Sequence, residues 1–415
     1  MSVRVGIVGG GMAGLAAAAF LKREKDLGAD VCYTILEKGD RPGRKLLMTG
    51  HGRCNITNRK APAKLKEGYH EAGSYIYKAL KAFDPDNAAE FFESVLGVPL
   101  KEEDNNRMFP ASDKAKTILD ALTKYVGSDN IVTGFNCVDI DIMDDHADLT
   151  AEDGRHATVD VVILACGGKS YPTTGSDGSG YALAESIGHT VTPLIPALTS
   201  VDVASEDRVF TAAVSGVSVS ADASLYYDSR KQATGTGDVL FTERGVSGPA
   251  IMELSREIPR DIGDRDGWIE IDFAPCITDE EFDSEFAQLV NDKPDTKLTT
   301  LGSNYVPGSV AENLGVSAGV TELYASATTR EKRRAYEKEI KHLTLHIDDA
   351  PGYGNAYVTR GGVSLKEVDR ETMRSKISPR VYIVGEMLDI DGISGGYNLQ
   401  ACMSEAFIAV RDILI

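Results

Sequence analysis

Gly9, Gly11 and Gly14 stand in the spacing Gly-x-Gly-x-x-Gly inside VRVGIVGGGMAGLAAAAFLKRE. An apolar run that reads as a buried strand precedes them, and an alanine-rich run that reads as a helix follows. The chemistry this spacing serves is pyrophosphate binding. Gly9 permits a tight turn, Gly11 lets the backbone come close to the anion, and Gly14 lets helix and strand pack together. The helix start, with Met12 and Ala13 in its first turn, then faces the phosphates with unpaired N–H groups and a positive dipole end. Glu37 closes the next strand, DVCYTILEK, with Lys38 behind it. A carboxylate about 20 residues past the glycines can bind ribose hydroxyls, so the segment reads as a dinucleotide site.

A second strand ending in an acid lies near the other end of the chain. RVYIVGEMLDI runs into Gly385 and Glu386, and Gly395 and Gly396 then open a helix that begins with Tyr397 and Asn398. An acid for ribityl hydroxyls and a helix start for the pyrimidine carbonyl suit FAD. An NAD enzyme would normally continue with more strand–helix repeats. Here a small β-meander intervenes, read from IVTGFNCVDIDIM and HADLTAEDGRHATV with an Asp-Gly turn. The buried strand DVVILACGG follows, ending in Cys166, Gly167 and Gly168.

The elements that must position these groups make an α/β fold. DNAAEFFESVLG and KAKTILDALTKYVG read as amphipathic helices. From residue 200 to 275 the side chains alternate, as in FTAAVSGVSVSADASLYYD and WIEIDFAP, which predicts an antiparallel, half-exposed β-domain. Residues 278–340 read as helical, and HLTLHI and NAYVTRGGV return as strands. In FTERGVSGPAI, Ser247 is expected as a helix N-cap and Pro249 in the first turn. The predicted organisation is a Rossmann-like FAD-binding domain made from both chain ends (residues 1–195 and 358–415). An inserted antiparallel β-domain (196–276 and 341–357) and a helical subdomain (277–340) complete it.

The chain has 415 residues and a net charge of −19, which argues against nucleic acid and anionic membranes as partners. Its six cysteines are scattered, without a C-x-x-C pair, and suit reduced thiols in a cytoplasm. The N-terminus enters a strand directly, with no signal-peptide pattern, and no apolar run is long enough for a membrane span. His342 and His346 fall on the polar face of a strand, so no metal site is expected. Nothing in the sequence specifies an oligomeric state.

The segments GGGMAGLAAA, EKGDRPGRKLLMTGHGRCNITN, NRMFPASDKA, ACGGKSYPTTGSDGSGYALAESIGH, FTERGVSGPAIMELS, VTRGGVSLKEVDRETMRSK and VGEMLDIDGISGGYNLQAC occur in order through nearly the whole chain. In them the protein resembles the BaiN-like (also YhiN-like) flavoprotein oxidoreductases. The resemblance implies FAD, the discontinuous Rossmann-like domain, the inserted β-domain and the helical subdomain. It also implies that RKLLMTGHGRCNITN runs along the FAD. Arg44 and Lys45 match a basic pair that neutralises the pyrophosphate or fixes the adenosine end. Gly50 and Gly52 let the backbone near the isoalloxazine, with Arg53, Cys54, Asn55 and Asn58 at or below the ring. Val138 matches a position whose backbone holds adenine, and Gly167 and Gly168 pass close by. Similar proteins carry Thr-His before the G-x-SGPA run. Here Glu243 stands in place of the His, which puts transfer of their substrate in doubt.

Candidate catalytic groups are Arg53, Tyr171, Glu243 and Tyr397; Cys54 as a lone thiol reads more readily as inert. The resemblance favours reduction of a conjugated carbon–carbon double bond in a small molecule, an enone, with NAD(P)H as a transient electron donor. An FAD-dependent amine or aminoketone oxidase releasing hydrogen peroxide is the alternative, and a non-catalytic flavin redox sensor a third. An RNA-modifying role is weaker, since REKRRAYEKEIK reads as a mixed-charge helix face.

Overall fold

The computed structural model describes residues 2–259 and 266–415. They form two compact units, Met1–Ile195 with Tyr353–Ile415, and Pro196–Gly352. The first is built on a five-stranded parallel sheet. Its strand order is Val381–Ile383, Val161–Leu164, Val3–Val8, Val31–Leu36 and Ile131–Val132. The chain ends meet in this sheet because Val381–Ile383 pairs in parallel with Val162–Leu164. Runs of Val, Ile and Leu are what strands covered on both faces require.

The helix Met12–Asp26 buries every residue from Met12 to Leu21. Its alanines make that closeness achievable, since a helix apolar all round has no solvent face to offer. The terminal helix Tyr397–Ile413 belongs to the same core, as does Ala115–Val126. The meander is present as Cys137–Ile142, Ala147–Ala151 and His156–Val159, turning at Asp153 and Gly154. Gly154 takes φ +84°, which an Asp-Gly turn supplies without strain. Ile131 and Val132, expected in the meander, pair instead with Ile35 and Leu36 and form the edge of the parallel sheet.

The second unit carries a six-stranded antiparallel sheet. Its order is Val201–Asp202, Gly245–Ser247, Arg230–Thr242, Ser218–Tyr227, Gly267–Asp272 and Leu343–His346. The alternation is realised in Ser218–Tyr227, which buries Val219, Ala221, Ala223, Leu225 and Tyr227. The helices within residues 277–340, expected as a subdomain of their own, share this core. Phe282, Phe286, Leu314 and Tyr336 join Leu225, Phe241 and Ile269 in one cluster. Residues 353–357, expected in the insertion, belong to the first unit.

Two local expectations are corrected. Residues 208–213, which include FTAA, form the helix Arg208–Ala213 rather than a strand, with Phe210 and Thr211 turned inward. The N-cap of Pro249–Ser255 is Gly248, not Ser247. Ser247 still pairs in the sheet with Leu240, and the chain must then turn at φ +92°, a geometry open to glycine. His342 lies 3.1 Å from Asp279, and His346 lies 3.1 Å from Asp207. Among the described residues no His, Cys, Asp and Glu cluster has the arrangement of a metal site, and no helix is long and apolar enough to cross a membrane.

Candidate active site

The glycine turn has the geometry its spacing predicted. Gly9 sits at φ +104°, and a side chain on Gly14 would stand 2.0 Å from the Gly9 carbonyl oxygen. A side chain on Gly11 would meet no atom within 4 Å. Gly14 is therefore required by the fold, whereas Gly11 borders open space at the start of a fifteen-residue helix that has no side-chain cap. Those unpaired helical N–H groups are what an anion would satisfy. Glu37 closes the turn from the side, accepting from the Gly10 N–H at 2.7 Å and the Gly39 N–H at 2.6 Å. Its carboxylate is thus oriented by the backbone and keeps further lone pairs for a hydroxyl donor. Lys38 reaches across to Asp177 at 2.5 Å.

The second acid is the centre of a longer-range network. Glu386 Oε2 pairs with Lys45 Nζ at 2.6 Å, and Oε1 accepts from the Thr359 N–H at 2.9 Å. The Thr359 hydroxyl accepts in turn from the Lys169 and Ser170 N–H groups, at 2.8 and 3.1 Å. A side chain on Gly168 would sit 2.6 Å from both Glu386 Oε1 and Thr359 Oγ1. Gly168 thus lets the Gly167–Gly168 segment lie against the acid. Arg44 does not share the ion pair; it donates to the Thr173 carbonyl at 2.9 Å.

The segment from Arg44 to Asn58 turns back on the start of the terminal helix. Thr57 Oγ1 lies 2.5 Å from Gln400 Oε1, and Asn58 Nδ2 donates to the carbonyls of Asn105 and Gly395 at 2.9 and 3.3 Å. The bends are supplied by Gly50 (φ +55°), Gly52 (φ +83°) and, at strain, His51 and Cys54 (φ +55° and +64°). Gly395 and Gly396 are both left-handed, and a side chain on Gly396 would strike the Thr57 carbonyl carbon at 2.5 Å. Two buried oxygens here, Asn55 Oδ1 and Asn58 Oδ1, have no hydrogen-bond partner among the described residues. Asn398 is occupied, exchanging two 2.8 Å hydrogen bonds with the Gly392 backbone. In the meander strand, the ladder passes from Cys137↔Ala151 to Asp139↔Thr150 and skips Val138. This bulge leaves the Val138 backbone groups outside the ladder.

The four candidate catalytic side chains fare differently. Arg53 is held by Asp113 at 2.5 Å and by Glu103, with Lys101 bridging the same two carboxylates and the guanidinium over Phe109. The mutual pairing pulls both carboxylates below their usual range and raises both cations. Tyr397 is buried; its ring fills the space left by Gly68, and its hydroxyl accepts from Lys60 at 3.1 Å. Glu243 lies exposed in the turn between two strands of the second unit. Tyr171 is half-buried with φ +53°, a rare backbone for an aromatic residue. Its phenol is pushed up by burial and by Tyr357, whose ring lies edge-on at 5.5 Å. Tyr357 in turn lies 6.2 Å from the His51 ring.

Tyr357, Thr359 and His51 were not singled out from sequence. Thr359 and Tyr357 stand in a short strand region whose pattern reports only strand, and their partners are far away in the chain. Burial pushes the Cys54 and Cys166 thiols up to about 12, Lys38 offsetting it only in part at Cys166. Both stay protonated and unreactive at neutral pH.

A fold with a parallel sheet, a glycine-turned helix start and acid-tipped strands on both halves of the chain defines a Rossmann-type dinucleotide-binding protein. The open space at Gly11, the orphaned Asn55 and Asn58 oxygens and the skipped Val138 backbone fit a dinucleotide that extends from the first helix to the terminal one. Residues 3–412 match the family described as HI0933-like protein Rossmann domain, and the chain belongs to that family. It is 32% identical to the 3-dehydro-bile acid delta(4,6)-reductase of Clostridium scindens, across 98% of both chains. It is 26% identical to the ribosomal RNA dihydrouridine synthase of Escherichia coli, over 98% of this chain and 97% of that one. Among solved structures, the 3-ketosteroid delta1-dehydrogenase of Sterolibacterium denitrificans shares the fold, with a TM-score of 0.50, 12% identity and 99% coverage of each chain.

Proposed function

We propose that this protein is an FAD-dependent oxidoreductase that saturates a carbon–carbon double bond conjugated to a carbonyl, with electrons drawn from NAD(P)H. The observation that supports it most is the pair of acid-tipped strand ends, Glu37 and Glu386, flanking a glycine turn whose Gly11 faces open space. Gly9, Gly11, Met12, Ala13, Gly14 and Glu37 would hold the adenosine and pyrophosphate, with Lys38, Arg44 and the Val138 backbone beside them. Lys45, Glu386, Cys166, Gly167, Gly168 and Gly385 would hold the ribityl chain. Gly52, Cys54, Asn55, Asn58, Gly395, Gly396, Tyr397 and Asn398 would frame the ring end.

When bound, FAD supplies hydride chemistry. The chain's own task is then to orient the substrate and deliver one proton to the carbon alpha to the carbonyl. Tyr171 suits that task best. Its phenol stays protonated at neutral pH, it is accessible, and its strained backbone is fixed by the Tyr353 carbonyl, which accepts its N–H at 3.0 Å. Arg53 and Tyr397 serve better as supports, being already engaged with their own partners. The two relatives support the substrate class, because their printed names concern the same bond type. A 3-oxo compound with 4,6 unsaturation is a conjugated enone, and dihydrouridine is uridine with the double bond next to its C4 carbonyl saturated.

The second name also supports a second reading, that the conjugated bond belongs to an RNA base. The whole-chain charge is against it, and Lys38, Lys45, Arg53, Arg59, Lys64 and Lys78 are paired with carboxylates, but residues 38–82 hold eleven Lys and Arg against three Asp and Glu. Within that stretch Lys66 and Lys81 flank the Tyr77 ring at 5.0 and 5.8 Å. A local basic and aromatic surface can bind a polyanion despite an acidic total.

The test is anaerobic stopped-flow absorbance near 450 nm on FAD-loaded protein, mixed with NADH or NADPH and then with acceptors. Fast bleaching by a nicotinamide, reversed by a 3-oxo-4-ene steroid, supports the first reading. Reversal only by a uridine-containing RNA supports the second. Bleaching only by amines, with peroxide formed in air, would replace both with an oxidase.

A further inference from the structure

Glu405 lies in the terminal helix with no exposed surface. Its Oε2 accepts from the Gly385 N–H at 2.6 Å, and its Oε1 has no partner among the described residues. Gly385 opens the turn Gly385–Met387, so this one hydrogen bond ties the helix to the turn that carries Glu386. The turn has no slack on its other side. A side chain on Gly385 would stand 2.8 Å from Ala13 Cβ and 3.5 Å from Cys402 Sγ. Glu405 therefore sits behind the point where the glycine-turned helix, the terminal helix and the second acid meet.

We propose that Glu405 is a positioning residue that, through the hydrogen bond it accepts from Gly385, holds the Gly385–Met387 turn in the shape that admits FAD. This rests on the FAD reading above and names what shapes that site. Among the described residues nothing stands against the acid to balance a charge. The Tyr69 phenol donates to the Tyr397 carbonyl at 2.7 Å, and the Tyr75 phenol donates to the Val368 carbonyl at 3.2 Å, so neither hydroxyl donates to the carboxyl. On its own helix the neighbour is the Cys402 thiol, which burial pushes up first and Glu405 second. From the first helix come only apolar buried residues. On the turn side Lys45 is paired with Glu386 at 2.6 Å. Burial without a facing cation raises the Glu405 carboxyl to about 8, against which the Gly385 N–H pulls only partly.

The direction of the pH effects follows. In the folded state Glu405 keeps its proton up to about pH 8, whereas in the unfolded chain a Glu loses it near 4.3. Folding stability of the wild type therefore falls relative to a non-titrating variant between those two values and stays parallel to it above pH 8. The hydrogen bond from the Gly385 N–H is accepted by either form of the carboxyl, so FAD affinity is expected to follow the acceptor rather than the proton.

The experiment compares wild type, Glu405→Gln and Glu405→Leu. FAD dissociation constants come from quenching of flavin fluorescence between pH 6 and 9.5, and melting of the cofactor-free proteins is followed between pH 5 and 9. Gln keeps the acceptor for Gly385, so at pH 6.5 its affinity should match wild type within about threefold, while Leu should lose about tenfold. Across pH 6 to 9.5 wild type and Gln should stay within about threefold of each other, since both supply the acceptor. The melting temperature of Gln should rise relative to wild type from pH 5 to pH 8 and then hold its lead. Affinity of Leu equal to wild type, or of Gln no better than Leu, would overturn the proposal. Failure of all three proteins to bind FAD at pH 6.5 would sink the FAD reading instead, with the melting comparison still deciding whether Glu405 titrates as described.

Discussion

Among the helices of the first unit that begin on a glycine with no side-chain cap, those at Gly11 and Gly396 are built in opposite ways. The helix at Gly11 is a local device. Strand, turn and helix are consecutive, Gly14 is pressed onto Gly9, and the space in front of Gly11 is open. The helix at Gly396 is closed from outside. Thr57 and Asn58, more than 330 residues earlier, press against Gly395 and Gly396, and Tyr69 holds the Tyr397 carbonyl. The first start presents backbone to an anion with little else around it. The second presents a furnished pocket wall, including two buried amide oxygens that await donors. The difference suits a ligand with a phosphate at one end and a hydrogen-bonding ring at the other.

Breaking the first helix start should have the largest effect. Gly14→Ala places a carbon 2.0 Å from a backbone oxygen, and we expect it to cost more than about 4 kcal/mol and to be lost from the soluble fraction. Gly11→Ala meets nothing within 4 Å, so the cofactor-free melt should be unchanged while FAD affinity falls at least about tenfold. Equal melting losses for both would erase the distinction between a fold glycine and a ligand glycine. Tyr171→Phe should lower kcat about a hundredfold with FAD affinity intact, measured by steady-state turnover on an enone; unchanged kcat would move the proton donor elsewhere.

At the second helix start, Gly396→Ala faces both φ +96° and the Thr57 carbonyl, and thermal unfolding should report a loss of about 1–3 kcal/mol. Asn58→Ala removes one orphaned oxygen together with the bonds to Asn105 and Gly395. FAD titration should show about a tenfold weaker complex, and an unchanged constant would mean that the oxygen faces no cofactor donor. The smallest effect is expected at the half-exposed cluster of Arg53, Lys101, Glu103 and Asp113. Both carboxylates are held below their unfolded values, so their contribution is present above about pH 4 and lost as pH falls through the lowered values. Arg53→Met should therefore melt slightly lower than wild type at pH 7, and the gap should close in acid.

The parts legible in sequence are those whose partners are close in sequence or whose pattern repeats. The glycine turn, the acid at the end of the next strand and the alternating strand Ser218–Tyr227 follow from φ preferences and burial periods that any short window carries. The resemblance added the order of the distant segments. Short windows failed where tertiary pairing outweighed them. Ile131 and Val132 left the meander because a sheet edge was free, and residues 208–213 coiled although they alternate. Ser247 lost its cap position because it still had a strand partner.

By itself, then, the sequence determined that this chain folds around a dinucleotide turn, because the geometry of Gly9 to Gly14 is set by backbone sterics within a few residues. Only the tertiary structure decided which charged groups remain available. Lys45 is joined to Glu386, Arg53 is locked by Glu103 and Asp113, Tyr397 is buried, and Glu405 is left without a counter-charge. The reason is electrostatic. A side chain's charge and reactivity depend on what stands within a few ångströms, and in this protein those neighbours come from segments hundreds of residues apart.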